Sequence, residues 1–261
     1  MNKAYWSSVF IVVAPAVLAD GAGFDASTIQ WAGGVSAGYT RLDFPQKLDS
    51  EPTFASAIVF GAASYDRFYA TLSYADSLAD EKISEEEDIG DASRQDIDLS
   101  LGYRLTDNWS LFVGYKDSET DVDFVSREGG FKRDESYQQD GFFLGASYSI
   151  DFASAGTLSL NVAYAELDSD NRFAADIEDE DEEGEDSEEG RPEFDDLSGS
   201  VSGDVDGLSY GISWQMPLGE EMAFSANFKV NDYEETVRVG GVGYSVDQTI
   251  TFFNIGLVKI F

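Results

Sequence analysis

From Ile29 to Phe261 the chain repeats an apolar or small residue at every second position over ten successive stretches, and that period decides what it can fold into. Successive side chains of a strand point to opposite faces, so a two-residue repeat means strands with one apolar face. The stretches are 29–39, 54–60, 68–74, 97–105, 109–115, 142–150, 158–164, 208–216, 222–230 and 253–261; the second is carried by Phe54, Ile58 and Phe60. No stretch after residue 19 approaches the roughly 20 consecutive apolar residues that a membrane-spanning helix needs.

The opposite face says where the apolar one looks. A water-facing sheet surface carries Lys, Glu and Arg, whereas here it reads Gln30, Ala32, Gly34, Ser36, Gly38, then Gly145, Ser147, Ser149, then Ser209, Gly211, Ser213. Small, mostly uncharged groups suit a crowded interior, which turns the apolar face toward lipid. An open sheet would leave unpaired amides in hydrocarbon, so the sheet has to close. Aromatics band as two bilayer interfaces require. Trp31, Phe68, Tyr103, Trp109, Tyr148, Trp214, Phe224 and Phe261 fall at one rim, and Tyr39, Tyr74, Tyr115, Phe142, Tyr164 and Tyr210 at the other. The expected membrane anchors are Trp31, Tyr39, Tyr74, Tyr103, Trp109, Tyr115, Tyr148, Tyr164, Trp214 and Phe261. Short links at 63–67, 106–108, 151–156 and 217–221 alternate with long ones at 42–52, 76–93, 117–138 and 166–206, and a last hairpin turns at Gly240-Gly241. The expected fold is all-β: a transmembrane up-and-down antiparallel barrel of about ten strands, with short periplasmic turns and long acidic extracellular loops. An even strand number puts both termini in the periplasm.

Three segments follow. Residues 1–19 hold Lys3, an apolar run from Val9 to Ala14 and small residues up to Ala19, which predicts a secretory signal peptide cut after Ala19. Residues 20–28 form a periplasmic N-terminal segment and 29–261 the barrel. Past Val230 the apolar phase moves to Tyr233, Val237 and Val239, and on the last strand it changes between Phe252 and Phe253. A one-residue slip swaps faces, so bulges are expected near 231–232 and 252–253, in hairpins that continue as sheet beyond the membrane.

On these features the chain resembles the small outer-membrane β-barrel proteins of Gram-negative bacteria, the broad OmpA-type and porin-like group. Its terminal strand, with Phe253, Ile255, Leu257 and a final Phe261, looks like the signal that the family's barrel-assembly machinery recognises; Lys259 stands where an apolar residue is usual. The resemblance implies the outer membrane as location, with lipid and lipopolysaccharide as surroundings, and no further peptidoglycan-binding domain is expected. Enzymes built on such barrels rely on histidine, and this chain has no His and no Cys. That also removes disulfides, thiolate zinc sites and imidazole chemistry, and no enzyme activity is expected.

The formal charge of −35, from 16 Lys and Arg against 51 Asp and Glu, argues against nucleic acid as partner. Of the 51 acids, 19 fall in 166–206 and 8 in 76–93. Within that run Asp179, Asp181 and Glu183 echo the opening of a calcium loop, but its twelfth position is Gly190 where Glu belongs. The expectation is a solvated crown with no cofactor beyond loosely held Ca²⁺ or Mg²⁺. Strand phase puts Asp96, Asp98, Arg104, Lys116 and Lys229 in the lumen. Pairing Leu105 with Trp109 across the short turn sets Asp98 opposite Lys116. Ion pairs that pack the lumen are favoured over a narrow cation-favouring path. The function expected is a non-enzymatic envelope structural protein or narrow channel. The alternative is a cation-dependent adhesin or ligand-binding barrel that acts through its loops.

Overall fold

The computed structural model describes residues 29–43, 51–85, 88–126, 131–177, 197–239 and 242–261. Its strands are β1 (Gln30–Asp43), β2 (Thr53–Tyr65), β3 (Phe68–Ser77), β4 (Glu81–Glu85), β5 (Asp88–Arg104), β6 (Trp109–Ser126), β7 (Phe131–Asp151), β8 (Thr157–Ile177), β9 (Leu197–Pro217), β10 (Met222–Val239) and β11 (Val242–Ile260). Ten of them close an antiparallel barrel in chain order, with β3 on β5 and β11 back on β1. The extra strand, β4, pairs only with the outer end of β5.

Cross-strand pairs step from Gln30 through Ser64, Tyr69, Gly102, Phe112, Gly145, Ala163, Ser209, Asn231 and Ile250 back to β1 at Leu42, twelve residues further along. At ~3.3 Å per residue and ~4.8 Å between strands, that stagger over ten strands tilts them by about 40°. The backbone cylinder then has a radius of roughly 10 Å, which inward side chains can fill.

The turns at the short-link end are built locally. Leu105 N–H donates to Trp109 O at 2.8 Å and Trp109 N–H donates to Thr106 Oγ1 at 3.0 Å, which fixes the β5–β6 register. Asp66 takes the left-handed backbone (φ 52°) in the two-residue β2–β3 turn, a conformation that its short polar side chain tolerates.

At the other end the strands overshoot. β7, β8 and β9 each run 21 residues, about twice the 9–11 that cross a bilayer. Most of the described residues of the connections expected over 76–93, 117–138 and 166–206 are therefore sheet, in β4 and the outer ends of β5 to β9.

This overshoot corrects two expectations. The register of β10 with β11 runs from Met222↔Lys259 to Val239↔Val242 without a slip, so there is no bulge at 231–232 or at 252–253. Tyr233, Ile250 and Phe252 point inward and are buried, while Asp232 and Glu234 point outward. Above the lipid the outer face meets water and turns polar, and the inner face is free to become apolar. The change of phase in the sequence is a change of surroundings on an unbroken strand. The second correction concerns β2. Phe54, Ile58 and Phe60 are 0, 3 and 8 % exposed and lie inside, whereas Val59 is 53 % exposed on the lipid face. Phe54 and Ile250 pack with Leu42, Ile83, Ala92, Phe124 and Phe252 into an apolar core in the outer part of the barrel. Phe60 instead fills space over Gly34.

Phe60 exemplifies a rule of this interior. Phe60, Tyr69, Phe112, Phe143 and Tyr233 each lie directly across from a glycine of the neighbouring strand, at Gly34, Gly102, Gly145, Gly114 and Gly207. In the crown Phe124 faces Gly90 and Phe173 faces Gly199 in the same way. A Cβ on any of these seven glycines would fall 1.9–2.9 Å from a ring atom, so ring and glycine fit as a pair. These inward glycines are the seats of aromatic rings.

Candidate functional site: the charged waist and the crown

Five of the buried charged side chains, grouped at the waist of the lumen, come from three strands. Along β5 the inward positions follow two by two, which places Arg94, Asp96 and Asp98 above one another. Lys116 on β6 is the direct neighbour of Asp98. Lys229 reaches in from β10. Arg94 forks onto Asp96 through Nη2 at 2.7 Å and Nε at 3.0 Å, and donates from Nη1 to Thr120 Oγ1 at 2.9 Å. Lys116 Nζ lies 3.8 Å from Asp96 Oδ1. The Phe252 ring receives both ammonium groups, with Lys229 4.4 Å and Lys116 5.5 Å from its centre. All five side chains are at most 6 % exposed, so each charge depends on the opposite charges and the ring placed beside it.

Sequence reasoning named four of these and missed Arg94, although it shares the parity of Asp96 and Asp98. Arg104 lies apart from the waist, opposite Ser110 at the short-turn end, and is only half-buried.

Above the waist sits a second polar layer. Tyr137 donates to Glu235 Oε2 at 3.1 Å and accepts from Gln139 Nε2 at 2.6 Å, while Ser169 donates to Glu235 Oε1 at 2.8 Å. Burial, and then the Glu235 carboxylate, hold the Tyr137 phenol above its ordinary pKa, so it stays a donor.

On the outside, Trp31, Tyr39, Tyr74, Tyr103, Trp109, Tyr164, Trp214 and Phe261 are exposed. Tyr115 and Tyr148 are half-buried because their rings pair with Phe142 and Trp109, with centroids 5.3 and 4.9 Å apart. Just above the outer aromatic rim the sheet presents carboxylates in rows. Asp117, Asp140, Asp168 and Asp204 are successive cross-strand neighbours, and so are Glu166, Asp206, Glu234 and Asp247. Tyr164 of the rim donates to Asp206 at 3.1 Å. Higher up, the outer sheet surface holds a cleft of about 820 Å³ lined by residues that include Ser93, Asp121, Asp123, Asp134, Arg172 and Ser200. Asp179, Asp181 and Glu183 lie outside the described residues. Among the described residues no group of three or more acids is placed to hold a metal ion.

A closed antiparallel barrel, lipid-facing on its apolar side, is the fold of an outer-membrane protein. The model of the outer membrane protein beta-barrel domain matches residues 52–261, and the chain belongs to that family. No curated protein matches it. Solved structures similar to it include the outer membrane protease OmpT from Escherichia coli, 11 % identical, with 93 % of this chain and 99 % of that one covered and a TM-score of 0.49. The translocator domain of the autotransporter NalP from Neisseria meningitidis is 12 % identical over 93 % and 90 %, also at 0.49. The attachment invasion locus protein Ail of Yersinia pestis is 12 % identical over 89 % and 97 %, at 0.34.

Proposed function

We propose that this chain is a sealed, non-catalytic barrel of the outer membrane whose working surface is its acidic crown. The observation that carries the reading is the filled lumen. Rings seated on glycines occupy it at successive levels, and the Arg94–Asp96–Lys116 cluster with Phe252 closes the waist between them. A barrel of ten strands with a radius near ~10 Å leaves no wide path once such side chains point inward. The chain's lack of His and Cys supports the absence of catalysis. In this reading both termini are periplasmic, and the outer carboxylate rows meet lipopolysaccharide through bridging Ca²⁺ or Mg²⁺ after assembly by the barrel-inserting machinery.

The test is conductance in planar bilayers. A sealed barrel gives a flat baseline in ~1 M KCl, where small ions carry any current through an open lumen. Cation-selective steps that vanish in Asp98→Asn or Lys116→Met would overturn the reading in favour of a narrow channel. The cleft beside Asp121, Asp123 and Asp134 favours a second role, binding of a cationic ligand at the crown. Its test is retention of a cationic peptide by the wild type and loss in the triple Asn variant.

A further inference from the structure

Between the two aromatic rims, the lipid-facing side of the barrel carries one charged side chain among the described residues, Lys259 on β11. An ammonium group on such a face reaches along its own apolar stem for the nearest headgroups. Lys259 Nζ lies 5.3 Å from the centre of the Phe261 ring, so the side chain folds toward the short-turn end and the aromatic rim there. Its cross-strand neighbours are Gly33 on β1 and Met222, the first residue of β10. Just before Met222, in the β9–β10 turn, Glu220 and Glu221 are both exposed, and the Glu221 carbonyl accepts from Ile260 N–H at 2.8 Å. A cation and two carboxylates thus stand close together at headgroup depth, and among the described residues Lys259 forms no ion pair.

On the other side of Lys259 the outer surface is bare. Gly33 faces Gly61 on β2, and a Cβ on Gly61 would meet nothing within 4 Å. Leu257, Val35 and Val59 form one bank of this furrow, and Phe261, Trp31 and Ala63 the other. The stagger of the barrel makes a row of cross-strand neighbours climb from β11 through β1 and β2, so the furrow leads from the ammonium toward the bilayer centre and ends at Leu72 on β3. We propose that this surface seats one glycerophospholipid with a primary-amine headgroup, its phosphate on Lys259, its ammonium on Glu220 or Glu221 and one acyl chain over Gly33 and Gly61. Phosphate takes charge-assisted hydrogen bonds from the lysine. A primary ammonium returns such bonds to the carboxylates, a quaternary ammonium has no N–H to donate, and an uncharged glycerol headgroup leaves the carboxylates facing the phosphate.

The refolded protein in neutral detergent is titrated with phosphatidylethanolamine, phosphatidylcholine or phosphatidylglycerol of identical acyl chains, and native mass spectrometry counts the lipids retained. One phosphatidylethanolamine per barrel should be held about tenfold more tightly than either of the others, the worth of one charge-assisted pair. Lys259→Gln should bring it down to the phosphatidylcholine level. Glu220→Gln combined with Glu221→Gln should remove the advantage over phosphatidylglycerol, and Gly61→Leu, which fills the furrow, should weaken phosphatidylethanolamine retention. Equal retention of the three lipids by the unaltered protein, a preference for either of the other two, or retention that survives Lys259→Gln would each overturn the site. The ranking in the unaltered protein decides even if no variant refolds. The site needs only the lipid-facing side of the barrel, so a conducting lumen would leave it standing.

Discussion

Gly102 offers the sharpest test of how the lumen is filled. A methyl group built there would lie 1.9 Å from Tyr69 Cζ, 2.3 Å from its Oη and 2.4 Å from Cε1. Contact carbon separations are about 3.5–4.0 Å, so the ring would have to retreat by roughly 2 Å inside a packed interior. Overpacking of this kind costs about 1–3 kcal/mol. Restricting the unfolded chain returns about 0.4–1 kcal/mol, which leaves Gly102→Ala destabilised by about 1–2 kcal/mol. The control is Gly61→Ala on the lipid face of β2, where a Cβ meets nothing within 4 Å. It should be neutral or slightly stabilising. Because the three nearest atoms to the new methyl all belong to Tyr69, removing the ring should remove the penalty. In a cycle with Tyr69→Ala, itself costing about 3–5 kcal/mol, adding Gly102→Ala should cost nothing further, a coupling of about 1–2 kcal/mol. Guanidinium unfolding in detergent micelles, followed by tryptophan fluorescence, reads every variant of the set. Equal stabilities for Gly102→Ala and Gly61→Ala, or a Gly102→Ala penalty that persists without Tyr69, would refute the idea that the rings sit in glycine seats.

Further expectations concern charge. Arg94→Met takes the forked partner from buried Asp96, leaving Lys116 at 3.8 Å, and should cost about 3–5 kcal/mol in the same unfolding assay, while adding Asp96→Leu should recover most of the loss. The outer carboxylate rows set like charges directly opposite one another, which is destabilising. Raising sodium gluconate from ~10 mM to ~0.3 M shortens the Debye length from ~30 Å to below ~10 Å, and the melting midpoint should rise with it. Asp123, in the crown, has its pKa raised by burial and by Asp134, Asp121, Asp80 and Asp91. A carboxyl raised above its unfolded value opposes folding when ionised, and the penalty is relieved as pH falls through the folded pKa. Hydrogen exchange of β5–β7 outer amides should therefore slow as the pH is lowered from neutral toward the ordinary carboxylate range, once corrected for intrinsic rates; faster exchange would contradict the sign.

Most of the barrel is written in the period-two pattern because lipid imposes the same demand on every strand that crosses it. The register of β5 on β6 follows from one turn, Leu105 to Trp109, and the placement of Asp98 beside Lys116 follows from that. Three features were hidden for physical reasons. Phe54, Ile58 and Phe60 alternate like a lipid face, and a period cannot say which face is which; the outward residues of the same strand, Ala55, Ala57, Val59 and Gly61, form the other face. Tyr233 and Phe252 looked like slips because a strand that leaves the bilayer inverts the polarity of both faces without moving a residue. The ring-and-glycine pairs need cross-strand register over several neighbouring strands, which local pattern does not supply. Arg94, by contrast, was readable from parity alone.

The central claim is that the strands pass from lipid into water without a break, and a spin-label scan of β10 from 224 to 236 tests it directly. Even positions up to Phe228 should be open to oxygen dissolved in the bilayer. Asp232, Glu234 and Thr236 should instead be open to a water-soluble nickel chelate, and odd positions should be shielded from both. A phase jump at 231–232, with odd positions becoming the accessible ones above it, would contradict the account.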